Sequence, residues 1–223
     1  MRLDNRQMTW SWLAVAALFF FAAQNAVAAI GTVVGSKHDF STSGPNATYK
    51  GTGNQVCVYC HAPHSTPGTT PLWNHSLTAA TFTLYSSPTL DAGTLVQPAG
   101  VSKLCLSCHD GTVAVDSFGG ATGSKLVTGS PLLGTDLSND HPIGFTYDAA
   151  LVTLDPGLKA TTTAVTIGAS NAGTIATKML VGGKMECASC HDVHNSTANT
   201  AVEAKLLKIT TAGSALCLTC HNK

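Results

Sequence analysis

All eight cysteines of this 223-residue chain fall into four Cys-x-x-Cys-His blocks: Cys57–His61, Cys105–His109, Cys187–His191 and Cys217–His221. Two thiols three positions apart, followed at once by an imidazole, form the attachment signature of a c-type haem. The thiols add across the two vinyl groups, and the histidine takes the iron from its proximal side. Four blocks with no cysteine left over imply four covalent haems. Zinc sites also use Cys-x-x-Cys, but structural ones pair two half-sites, and their geometry asks for no histidine after each second cysteine. A disulfide framework leaves the histidines without a role.

Of the nine histidines, five lie outside the blocks: His38, His64, His75, His141 and His194. They are enough to give every iron a second, distal imidazole. A bis-histidine haem has no open position for oxygen, nitrite or peroxide, so its natural chemistry is one-electron transfer. His64 and His194 each follow a proximal histidine by three positions. If the chain continues helically past the block, each lies on the proximal side of its own haem, and it then reaches the distal face of a neighbouring one more readily. His141, in Asn139-Asp140-His141-Pro142, precedes a proline and is expected on an extended segment, with Asp140 either orienting it or forming a turn. His38 and His75 compete for the remaining iron. Met179 and Met185 are expected to pack against haem rather than ligate it. A nitrite or hydroxylamine oxidoreductase would need a five-coordinate iron beside acid-base residues, which the spare histidines and the scarcity of Arg, Glu and Tyr disfavour.

These residues must be carried by a chain poor in core-forming side chains. Arg2 and Arg6 precede an apolar run, Trp12–Ala23, and Ala26-Val27-Ala28 has the small-x-small form of a cleavage site. Residues 1–28 therefore read as a signal peptide and 29–223 as one tetrahaem domain. The run is too short for a membrane span, and no later segment has the length to cross. The expected destination is the periplasm or the cell's outer surface. Without the leader the chain keeps ten lysines, eleven acids and no arginine. Haem propionates then make the holoprotein acidic, which disfavours nucleic acid as a partner.

The mature part has one tryptophan, Trp73, and long stretches rich in Gly, Ser, Thr and Ala. With roughly 50 residues per haem, the porphyrins must supply much of the apolar core. The fold expected is a small multihaem cytochrome: mostly irregular coil, short α-helical turns at the attachment blocks and one β-hairpin. Ala164–Ile167 and Thr174–Val181 have strand-like β-branched content, bounded by turn signals at Pro156-Gly157 and Gly182-Gly183. The blocks repeat as double, single, double, single, because Cys57–His64 and Cys187–His194 carry a second histidine while Cys105–His109 and Cys217–His221 do not.

Several stretches resemble the small multihaem cytochromes of metal-reducing bacteria, in particular the OmcE-type tetrahaem cytochromes that polymerise into extracellular nanowires. They are Ser36-Lys37-His38-Asp39, Cys57–His64 followed by Pro71-Leu72-Trp73-Asn74, Cys105–Gly111, Asn139–Gly144 and Gly182–His194. The resemblance implies bis-histidine haems throughout, with His38, His64, His141 and His194 as distal ligands and His75 spare. It also implies that one iron per subunit takes its distal histidine from a neighbouring subunit, for which His38 is the candidate. The implied partners are copies of the chain in a head-to-tail filament, redox-partner cytochromes and an extracellular electron acceptor. Related tetrahaem proteins also act as discrete soluble shuttles.

Overall fold

The computed structural model describes residues 33–64, 72–168, 170–194 and 205–222. The leader expected over residues 1–28 lies outside them. All four attachment blocks sit on helical turns, as expected. These are a 3-10 turn at Cys57–Tyr59, helix α1 at Gly100–His109, α3 at Cys187–Cys190 and α4 at Ala215–Cys220, while α2 spans Ala149–Leu154. A helical turn sets residues i and i+3 on one face, so the two thiols of a block stand side by side.

The continuation past the blocks differs from the helical one expected for His64 and His194. His191 and His221 leave their helices in extended backbone, at φ −105°, ψ 145° and φ −103°, ψ 149°. Each then pairs with a distant segment through an isolated β-bridge: His191 with Leu207 and His221 with Leu158, as His61 does with Trp73. The helix stops because backbone partners from elsewhere compete for these N–H and C=O groups. The proximal histidine is thereby pinned between its own block and a second strand of chain.

Two small sheets complete the architecture. β1 (Thr83–Leu84) pairs in parallel with β2 (Asp136–Leu137), and β3 (Ala164–Ile167) forms an antiparallel hairpin with β4 (Asn171–Thr174), in register Ala164↔Thr174 to Ile167↔Asn171. β3 falls on the residues expected. The strand expected over Thr174–Val181 is replaced after Thr174 by a π-helical turn, Ile175–Met179. Thr174 N–H donates to Thr177 Oγ1 at 2.9 Å and Thr177 N–H to Thr174 Oγ1 at 3.4 Å, a reciprocal cap that starts a helical turn despite the β-branched residues. That turn buries both Ile175 and Met179. At Gly182-Gly183 both residues have positive φ, and Val181 and Lys184 exchange backbone hydrogen bonds of 3.0 and 3.1 Å, the closure a two-residue hairpin turn requires.

The described residues build three small apolar clusters. One gathers Tyr147, Leu151, Ile167, Ile175, Met179 and Met185. A second holds Phe40, Tyr49, Tyr59, Val115 and Val127, and a third Phe82, Leu106 and Leu137. Among the described residues no helix is long and apolar enough to cross a membrane. α2 contributes Leu151 to the first cluster and starts at Asp148, whose Oδ1 accepts from the N–H groups of Ala150 and Leu151, both at 3.0 Å. Asp148→Ala removes this cap. It is expected to lower the stability of the holoprotein by about 1 kcal/mol, read as an earlier denaturant midpoint with an unchanged Soret spectrum.

Candidate haem centres

Of the eight cysteines, Cys220 is buried, Cys60, Cys105, Cys108, Cys187 and Cys190 are half-buried, and Cys57 and Cys217 are exposed. Burial, reinforced by Cys57, pushes the Cys60 thiol up to about 11. Burial with Cys60 and Asp110 nearby pushes Cys108 up to about 12, and burial with Cys190 nearby pushes Cys220 up to about 11. Cys105 and Cys187, the first cysteines of two different blocks, hydrogen bond to one another. That bond raises Cys105 and, helped by Ser102, lowers Cys187 to about 7. Thiols crowded this way gain nothing as free groups. Converted to thioethers they lose the proton whose ionisation burial opposes, and they need no hydrogen-bond partner.

Six of the nine histidines form three pairs among the described residues. His38 faces His109 with ring centres 6.0 Å apart, His194 faces His61 at 6.1 Å, and His141 faces His221 at 6.4 Å. Each pair joins one attachment-block histidine to a histidine from a distant part of the chain. An iron between two imidazoles takes each nitrogen at about 2 Å, which with the ring radii sets the two centres about 6 Å apart. The interplanar angles of 50°, 22° and 69° are all compatible with such an axis, because each ring plane contains the iron–nitrogen bond and can turn about it.

The ring nitrogens are assigned in the same sense. Nδ1 of His109 lies 2.7 Å from Pro131 O, Nδ1 of His141 lies 2.8 Å from Pro142 O, and Nδ1 of His191 lies 2.8 Å from Lys205 O. A carbonyl can only accept, so Nδ1 carries the hydrogen and Nε2 keeps the lone pair that a metal takes. The carbonyl of Pro142, rather than Asp140, orients His141. Asp140 has the turn role instead, its N–H donating to Leu137 O at 3.2 Å. Burial, with His109 and His191 nearby, lowers His38 to about 4 and so holds its imidazole in the neutral, ligating form.

The surroundings fit a porphyrin. Leu72 beside His61, Leu132 and Leu133 beside His109, Val193 between His191 and His194, and Leu218 within its block are large apolar side chains left exposed by the polypeptide alone. Leu133 N–H donates to the carbonyl of His109 itself, at 2.8 Å. Among the described residues, the buried side-chain nitrogens His38 Nδ1 and Trp73 Nε1 have no hydrogen-bond partner. Trp73 stands edge-on to His61 with ring centres 6.0 Å apart. A protein-only metal site does not fit: among the described residues no three His, Cys, Asp or Glu side chains converge as a zinc site would require.

His64 is exposed and immediately precedes residues 65–71, which lie outside the described part. Met179 and Met185 are core residues of the first cluster. Two residues that sequence reasoning passed over join the attachment helices: Glu186 and Ser102, buried together where α1 meets α3. No spacing rule links positions 84 apart, and the only local signal was that α1 begins after Ala99, which has no side chain able to cap it. His75 is buried, its Nδ1 2.7 Å from Ser76 O and its Nε2 2.9 Å from Ala114 O. Nε2 also lies 3.4 Å from Cys108 Sγ, so both ring nitrogens are engaged within the polypeptide. His75→Ala is therefore expected to cost about 1–3 kcal/mol of stability while leaving the low-spin haem spectrum intact. A high-spin signal in that variant would make His75 a ligand.

Residues 179–223 match the family model of the doubled CXXCH motif, which takes in the third and fourth attachment blocks. No curated protein matches the chain. The motif is the attachment signature of covalently bound c-type haem.

Proposed function

We propose that the chain is a tetrahaem electron carrier, not an enzyme, in which every iron lies between two imidazoles. The observation that carries this reading is the set of three histidine pairs at 6.0–6.4 Å, each joining a proximal histidine to one from outside its block. In this reading His194 serves the iron of His61, His38 that of His109 and His141 that of His221. His64 is left for His191, so the two doubled blocks exchange their second histidines. Six-coordinate irons exclude small substrates and leave the outer-sphere transfer of single electrons.

The resemblance to filament-forming cytochromes supports a further step. The exported chain polymerises head to tail outside the cell and passes electrons from partner cytochromes to an extracellular acceptor. A contact of that kind repeats without closing into a ring. The nearness of His38 to His109 of its own chain favours a second reading, a discrete periplasmic shuttle whose irons are all satisfied within one subunit. Electron microscopy of the matured holoprotein separates them: filaments with a regular repeat support the first, and only discrete particles at high concentration support the second.

Ligation is tested residue by residue. His194→Ala and His141→Ala are each expected to convert one of four haems to high spin with all four still attached, and an unchanged low-spin spectrum removes that residue as a ligand. His38→Ala is expected to do the same in the isolated monomer. Loss of assembly with the monomer spectrum unchanged would instead assign His38 to a neighbouring subunit.

A further inference from the structure

We propose that Glu186 is a buried anion shared by the haems of the second and third blocks, clasping their attachment helices together and holding the reduction potentials of both down. The inference rests on the multihaem reading and goes beyond it by assigning a potential-setting residue. Glu186 immediately precedes Cys187, and only 6% of its surface is exposed. Its Oε2 accepts from Ser102 N–H at 3.3 Å and from the Ser102 hydroxyl. Ser102, fully buried, in turn accepts the N–H of Cys187 through Oγ at 3.0 Å. Glu186 N–H donates to the buried Ser189 Oγ at 2.9 Å, so the backbone that carries the carboxylate is fixed as well.

The carboxylate thus occupies the N-terminus of α1, where Ala99 provides no cap of its own. Free N–H groups and the helix dipole favour negative charge there. Gly100 takes the left-handed φ of +50° at the start of α1, and a Cβ built there would meet Glu186 Oε1 only at an ordinary contact distance of 3.9 Å, which places the carboxylate against the first turn of the helix. Cys105 follows Ser102 by one turn of α1 and Cys187 directly follows Glu186, and the two thiols are near enough to perturb each other. With haem attached at both blocks, those two sulfurs would belong to different haems, and the carboxylate would stand beside both attachment points. A ferric haem carries one more positive charge than a ferrous one. A carboxylate close by in a poorly polarisable interior favours the ferric form and lowers the potential.

The test is a spectroelectrochemical titration of the matured holoprotein and its Glu186→Gln variant, with haem content counted by mass. Glutamine keeps the shape and an acceptor oxygen for Ser102 but removes the charge. The expected result is four attached haems with two of the four midpoint potentials shifted upward, whereas Glu186→Asp, which keeps the charge, shifts them less. Four attached haems with unchanged potentials, equal shifts of all four, or equal effects of Gln and Asp would each overturn the proposal. If Glu186→Gln loses haem, the neutral Glu186→Met takes its place under the same criteria. Loss of haem from both neutral variants but not from Glu186→Asp would make the charge a requirement of maturation, overturning its assignment to the potentials. A wild-type chain carrying no covalent haem would overturn the electron-carrier reading itself.

Discussion

The constraint on which this structure depends is that histidines far apart in the chain stand with ring centres about 6 Å apart. Three such pairs tie the N-terminal His38 to α1, the segment after α3 to the first block, and the His141 loop to the C-terminal block. Other local features hold members of these pairs in place. The isolated bridges of His61 and His221 pin two of the block histidines, and the carbonyls of Pro131 and Pro142 engage Nδ1 of His109 and His141, while His191 is held in the same way by its own bridge and by Lys205 O.

The division of the apolar residues follows from the same constraint. Three small clusters among the described residues are what remain when the volume between elements is reserved for flat, covalently held macrocycles. The exposed leucines beside His61 and His109 would be a liability on a bare polypeptide and are useful against a porphyrin face. Cys60, Cys108 and Cys220 follow the same logic, because burial opposes their ionisation and a thioether has no proton to lose.

What sequence made legible was whatever is encoded by local spacing. The four blocks, their helical turns, the β3 strand and the Gly182-Gly183 turn all come from short-range rules that hold irrespective of neighbours. The strand expected after Thr174 was not found, because two threonines capped each other and the buried positions Ile175 and Met179 suited a helical turn. The expectation that His64 and His194 ride on a continuing helix missed the bridges formed by distant residues, although His194 does lie against the histidine of another block. His75, which the residues alone left competing with His38 for an iron and the family resemblance left spare, is a buried strut, and the Glu186–Ser102 clasp joins positions that no pattern relates. The bridges, the strut and the clasp all involve partners remote in sequence, where spacing carries no information, whereas the Thr174–Thr177 cap is local and its signal was masked by the β-branched composition around it.

The most direct test of the central claim is near-infrared magnetic circular dichroism of the unmodified ferric holoprotein, because the charge-transfer band of low-spin haem reports the pair of axial ligands. Histidine pairs bracketing every iron predict a single bis-imidazole signature with an intensity matching the haem content. A high-spin band, or a band from histidine with methionine, equivalent to one or more haems would contradict it.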